Sequence, residues 1–100
     1  MMNGKERKQE ILAAAVTVAF HTGWMKMTRS NVAFQAGVAE GLVNRYFSTM
    51  TQLRRAVMRH AVQNDMVKIV AEGIALRDAA AMKASEELKH RCGKYLSETA

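Results

Sequence analysis

Residues 28–47 read Thr-Arg-Ser-Asn-Val-Ala-Phe-Gln-Ala-Gly-Val-Ala-Glu-Gly-Leu-Val-Asn-Arg-Tyr-Phe. The stretch divides at Gly37. Thr28 carries a hydroxyl that can cap the free amides of a helix starting at Arg29. Gly37 stops that helix, because glycine tolerates the positive φ that a tight exit turn requires. A second short helix begins near Glu40 and ends around Phe47. Ala33 is small enough to let two helices cross closely. Val38 and Val43 supply apolar contacts just after the turn and inside the second helix. Small residue, turn glycine and two apolar anchors, in that order, fit a helix-turn-helix. An ordinary helical hairpin in a packed bundle fits the same pattern.

Outward from this segment the chain keeps reading as helix. On the N-terminal side, residues 5–22 pass from a charged start into Ile11-Leu12-Ala13-Ala14-Ala15-Val16, and Gly23 closes the run. Ile11, Leu12, Ala15, Ala19 and Phe20 recur on one face and are expected to be core. On the C-terminal side, Thr49-Met50-Thr51-Gln52 has the form of a capping box that opens a fourth helix. Leu53, Val57, Ala61, Met66, Ile69, Val70 and Ile74 continue its apolar side, with Gly73 the expected point of a break or bend. A last helix is expected over residues 79–97, with Ala84, Leu88, Cys92, Tyr95 and Leu96 on one side and charge on the other.

Composition agrees. Proline is absent, and Ala, Met, Leu, Lys, Arg, Glu and Gln dominate, all strong helix formers. The chain of 100 residues suits one compact domain. The expected fold is all-α: a three-helix bundle containing the helix-turn-helix, followed by two longer amphipathic helices. Residues 1–50 form the helix-turn-helix region, and residues 51–100 a helical dimerisation region packed on it as one unit.

Fifteen Lys and Arg against nine Asp and Glu give a net charge of +6, which favours a polyanionic partner. Cys92 is the single cysteine, so no internal disulfide forms. It reads as a small buried apolar residue in a reducing compartment. His21, His60 and His90 lack a second ligand at metal-binding spacing, so no metal or other cofactor is expected. No glycine-rich phosphate loop, paired carboxylates or nucleophile with a nearby base suggests an enzyme. Glu86-Glu87 reads as a solvated helix face. The N-terminus lacks the apolar core of a signal peptide, and no apolar run is long enough to span a bilayer. A cytoplasmic location and no membrane partner are expected.

The first 60 residues or so resemble the DNA-binding domain of the TetR family of transcriptional regulators. Ile11-Leu12-Ala13-Ala14-Ala15, Phe20, Gly23, Thr28, Val32-Ala33, Ala36-Gly37-Val38, Gly41, Tyr46-Phe47 and Leu53 carry the resemblance. It implies a repressor that binds an inverted-repeat operator in double-stranded DNA as a homodimer. The helix Arg29–Ala36 would lie across the DNA backbone and the helix Glu40–Tyr46 would enter the major groove. Thr28, Arg29 and Ser30 would meet phosphate at a helix N-terminus. Tyr46 would touch the backbone, Phe47 would fill the core below, and Gly41 would permit a close approach.

The sequence departs from the family at Ala39, where a capping serine is common, and at Glu40, Leu42, Asn44 and Met50, where groups that hold phosphate are common. Arg54, Arg55, Lys5, Arg7 and Lys8 either compensate or form a solvated face. On the same helix Arg45 could donate two hydrogen bonds to guanine, and Asn44 could meet adenine or a phosphate. Leu42 could pack on a thymine methyl. Glu40 could accept from cytosine or tune the helix terminus. Only about 50 residues follow Phe47, too few for a drug-sized cavity, so no small-molecule inducer is expected. The stripe Leu88, Cys92, Tyr95 and Leu96 is the expected dimer interface. Two other functions fit the same residues: a helical protein–protein interaction module, and a non-specific architectural DNA-binding protein.

Overall fold

The computed structural model describes residues 2–99, and among these it contains seven helices and no strand. They fall into two compact units, residues 1–57 and 58–100. The fold is all-α, as the helical periodicity and composition imply.

The first unit is built on α1 (Gly4–Thr22), α2 (Arg29–Ala36), α3 (Glu40–Tyr46) and the start of α4 (Met50–Gln63). Asn3 caps α1 by accepting from the Glu6 amide at 2.8 Å. Ile11, Ala14, Ala15, Val18 and Ala19 form its buried side, and α1 packs on α2. The stripe is rotated from the one expected: Leu12 is half-buried and Phe20 is 40% exposed. Trp24 and Met27 take the place expected for Phe20. Both are buried, and the Trp24 indole donates to the Arg54 carbonyl at 2.9 Å. An indole can be buried there because its one polar group finds an acceptor.

α2 is closed at both ends. Thr28 Oγ1 accepts from the Asn31 amide at 3.1 Å, and Asn31 Oδ1 accepts from the Thr28 amide at 2.8 Å. At the other end Gly37 adopts φ 69° and ψ 33°. Its amide reaches the Phe34 carbonyl, and the Val38 amide reaches Ala33 at 3.0 Å. This paired closure satisfies carbonyls that the helix end would leave bare. Ala33 and Val32 are buried under the turn, and Val43, Phe47, Leu53 and Val57 complete the core. Thr49 caps α4 through the Gln52 amide at 3.1 Å, but the Gln52 side chain reaches past Thr49 to accept from the Ser48 amide and hydroxyl.

The second unit holds the end of α4 with α5 (Val67–Ala75), α6 (Ala79–Met82) and α7 (Glu86–Thr99). Each of the two long helices expected here is broken at a place the pattern did not indicate. The break after α4 falls at Asn64-Asp65, where Asp65 takes φ 51° and the Met66 amide bonds back to Ala61 at 2.9 Å. Aspartate visits this region more readily than most residues. Gly73 stays inside α5, which runs through it without a break. A Cβ there would lie 2.5 Å from Met58 Cε and 2.8 Å from Ala81 Cβ, so glycine serves close packing. Arg77, at φ 58°, turns the chain out of α5, and Asp78 caps α6 through the Ala81 amide. The expected helix over 79–97 is interrupted at Lys83–Ser85 because Ser85 caps a new helix through the Leu88 amide at 3.1 Å. α5 packs on α6 and α7, burying Ile69, Val70, Ala71, Leu88 and Cys92. Among the described residues no helix is long and apolar enough to cross a membrane.

Candidate nucleic-acid interface

α2, the turn at Gly37 and α3 present a short helix whose inward side is fixed by Val43, which is fully buried, and by Phe47 behind it. With Val43 held inward, the 3.6-residue period turns Glu40, Gly41, Asn44 and Arg45 outward, and all four are exposed. Leu42 and Tyr46 sit at the edges of this face and are half-buried. Five of the six therefore bring hydrogen-bonding, charged or apolar side chains to one solvent-facing surface, and the sixth, Gly41, brings none. No side chain caps α3, because Ala39 stands at its cap position. The first-turn charge there is the carboxylate of Glu40.

The start of α2 carries the other residues expected to meet DNA. Thr28 and Ser30 are exposed and Arg29 is half-buried. Thr28 Oγ1 is occupied as an acceptor by the Asn31 amide, which leaves its own proton available to an outside oxygen. Arg29 Nη2 donates to the Ser48 carbonyl at 3.4 Å, tying the start of α2 to the turn before α4. The start of α1 comes up to the end of α3: a Cβ on Gly4 would sit 3.5 Å from the Tyr46 hydroxyl. Lys8 Nζ lies 5.2 Å from the centroid of the Phe47 ring, a cation–π distance.

Charge is unevenly distributed. Residues 1–57 carry eight Lys and Arg against three Glu, whereas residues 58–100 carry seven against six Asp and Glu. Nearly all of the excess of +6 belongs to the unit that holds the helix-turn-helix. In that unit Arg7 and Glu10 form an ion pair at 3.2 Å, away from α2 and α3 in sequence.

Residues 11–57 match the family model described as bacterial regulatory proteins, tetR family. This stretch is a TetR-family DNA-binding domain. The match spans the last two-thirds of α1, both helices of the helix-turn-helix and the first half of α4. The match covers 47 of the 100 residues, and it is this stretch that is similar to DNA-binding transcription regulators. Neither the search of curated proteins nor that of solved structures returned a match.

The residues of the expected dimer interface lie outside the TetR domain. Leu88 and Cys92 are buried on α7, which packs on α5 of the same chain; Tyr95 and Leu96 are half-buried. Cys92 Sγ lies 3.7 Å from the Val67 carbonyl. Burial pushes its thiol up from the usual range, and the nearby Arg91 opposes the shift only in part. Arg54, expected either to compensate for the missing phosphate-holding groups or to form a solvated face, is half-buried. Its guanidinium reaches back to the Met27 carbonyl at 3.4 Å, a contact across 27 residues that no local pattern announces.

Proposed function

We propose that the protein is a cytoplasmic, sequence-specific transcriptional repressor that binds an inverted-repeat operator as a homodimer. The observation that carries this is the exposed face of α3 inside a TetR domain. Glu40, Asn44 and Arg45 are neither buried nor engaged in an ion pair with the described residues. Placed in the major groove, Arg45 donates two hydrogen bonds to guanine O6 and N7, and Asn44 meets adenine or a phosphate. Leu42 packs on a thymine methyl, and Glu40 accepts from a cytosine amine. Thr28, Arg29 and Ser30 hold the backbone and set the register without reading bases, and Tyr46 touches it from the other end of α3. The charge excess of residues 1–57 supplies sequence-independent attraction to the duplex.

Dimerisation follows from the size of the read-out. One seven-residue helix contacts few base pairs, and two copies related by a two-fold axis double the specificity and require a palindrome. Because Leu88 and Cys92 are already packed within the chain, the contribution of α7 to the dimer falls to Tyr95 and Leu96. A dimer covering promoter DNA represses by occluding polymerase.

Selection of bound duplexes from a random pool tests this. Enrichment of two half-sites in inverted orientation, with centres about one turn (roughly 34–36 Å) or a multiple apart, is the expected result. Recovery of a single half-site contradicts the dimer, and recovery of no motif contradicts sequence-specific reading.

A further inference from the structure

Phe34 is 89% exposed, the highest value of any large apolar side chain among the described residues; Leu76 follows at 53%. The ring does not hang on a fraying end. α2 is closed by the Thr28–Asn31 capping box and by Gly37 in the left-handed conformation, so Phe34 stands on a fixed backbone. Its surroundings in the chain are uncharged: residues 30–39 read Ser-Asn-Val-Ala-Phe-Gln-Ala-Gly-Val-Ala. Val32 and Ala33 belong to the core. Gln35, Gly37 and Ala39 are exposed, and Ala36 and Val38 are half-buried. A Cβ on Gly37 would meet nothing within 4 Å, so nothing leans over the turn at that point.

A lone apolar side chain at a surface is common. Phe34 differs in degree, because nearly the whole ring is in water and the uncharged run continues through the turn to Ala39. Three arguments bear on what covers it. The run is bracketed in the chain by Thr28 and Arg29 before it and by α3 after it, which the function proposed above places on the duplex. Whatever meets Phe34 is therefore also at the DNA. Charge narrows the occupant. Residues 1–57 carry eight Lys and Arg against three Glu, so two copies side by side repel each other. An uncharged apolar face lets them touch without setting like charges opposite one another. Area narrows it further. An aromatic side chain buries about 150–250 Å², against roughly 1,200–2,000 Å² in a stable interface. Such a contact does not join copies in free solution. It counts when a duplex already holds two copies side by side at high effective concentration.

We infer that Phe34, with the uncharged turn that follows it, is the contact through which copies of this protein bound at neighbouring sites on one duplex assist each other's binding. This rests on the DNA-binding function proposed above and adds to it a second interface, built from residues other than those of α7. Two adjacent inverted repeats are related by a two-fold axis between them. The copies that face each other across it present the same surface, Phe34 to Phe34.

The test is a gel-shift titration, which resolves singly and doubly occupied duplexes. The duplexes carry one or two copies of a selected inverted repeat, with the spacing between copies varied in single base-pair steps over one helical turn. At a favoured spacing the wild-type protein is expected to fill the second site about tenfold more tightly than the first, and to lose this advantage when one site is turned to the other side of the duplex. Phe34→Gln keeps a good helix former and removes the ring. It is expected to match wild type in single-site affinity and in urea midpoint, and to fill two sites independently. Leu76→Gln removes an exposed apolar side chain from the second unit and is expected to retain the wild-type advantage. Independent filling by the wild-type protein at every spacing, or the full advantage in Phe34→Gln, overturns the inference. So does weaker single-site binding by Phe34→Gln at an unchanged urea midpoint, which places the ring against the duplex itself. Each of these results leaves the DNA-binding function standing. Failure of the wild-type protein to bind a single site at low salt overturns both.

Discussion

Gly41 sits at the second position of α3, and nothing in the protein requires a glycine there. Its φ is not in the left-handed region, and a Cβ built on it meets no atom within 4 Å. For the folded chain alone, alanine is the better residue. Glycine in a helix costs about 0.5–1 kcal/mol relative to alanine, and near the start of a short exposed helix the lower figure applies. Gly41→Ala is therefore expected to stabilise the protein by about 0.5 kcal/mol. If α3 enters the major groove with this edge against DNA, the added methyl meets the duplex instead. Inserting a methyl into a close-packed contact costs about 1–3 kcal/mol, and 1.4 kcal/mol is a factor of ten in affinity. Stability and binding should move in opposite directions: a higher urea midpoint by circular dichroism, and affinity for a selected duplex reduced by about fivefold or more. Equal or tighter DNA binding by Gly41→Ala would refute the placement of this edge of α3 against the groove. Lower stability would refute the claim that the glycine is unneeded by the fold.

Three other substitutions probe separate links. Arg45→Ala is expected to cost about 1–3 kcal/mol in binding to the selected duplex and to relax base preference at one position per half-site, as read by repeating the selection with the variant. Gly73→Ala sets a helix-propensity gain of about 1 kcal/mol against overpacking of about 1–3 kcal/mol. Met58 Cε can swing aside, but Ala81 Cβ at 2.8 Å is fixed to α6, so net destabilisation is expected in urea titration, with Ala81→Gly restoring part of it. Burial raises the Cys92 thiol above its usual 9.0 in the folded state only, so the native protein holds that proton more tightly than the unfolded chain. The contribution is fully present below about pH 9 and is lost as pH rises through the raised folded value. Cys92→Ala should therefore show a shallower loss of stability with pH above that point than wild type, and an identical slope would contradict the burial.

The helix-turn-helix was legible because its determinants are local. Thr28, Asn31 and Gly37 form caps within a few residues of one another, and Val43 fixes which side of α3 faces inward. The outward set, Glu40, Gly41, Asn44 and Arg45, follows from that single anchor. Legibility fell where long-range packing decides. Phe20 is as apolar as Trp24, yet Trp24 is buried because its indole finds the Arg54 carbonyl 30 residues away. Gly73 carries the composition of a helix break, but its role is to admit Met58 and Ala81. The actual breaks use Asp65 and Arg77 in the left-handed region, where a non-glycine residue costs about 1–2 kcal/mol and propensity gives no warning. Nor does any spacing motif bring Arg29 to Ser48 or Arg54 to Met27. The TetR domain itself lies almost wholly within the legible part.

The most direct measurement is fluorescence-anisotropy binding of the whole protein to a selected inverted repeat and to a scrambled duplex of the same length and composition, over a salt series. Affinity for the inverted repeat about a thousandfold or more above the scrambled sequence, saturating at two chains per duplex, is the predicted result. Equal and strongly salt-dependent binding to both duplexes would contradict sequence reading by α3.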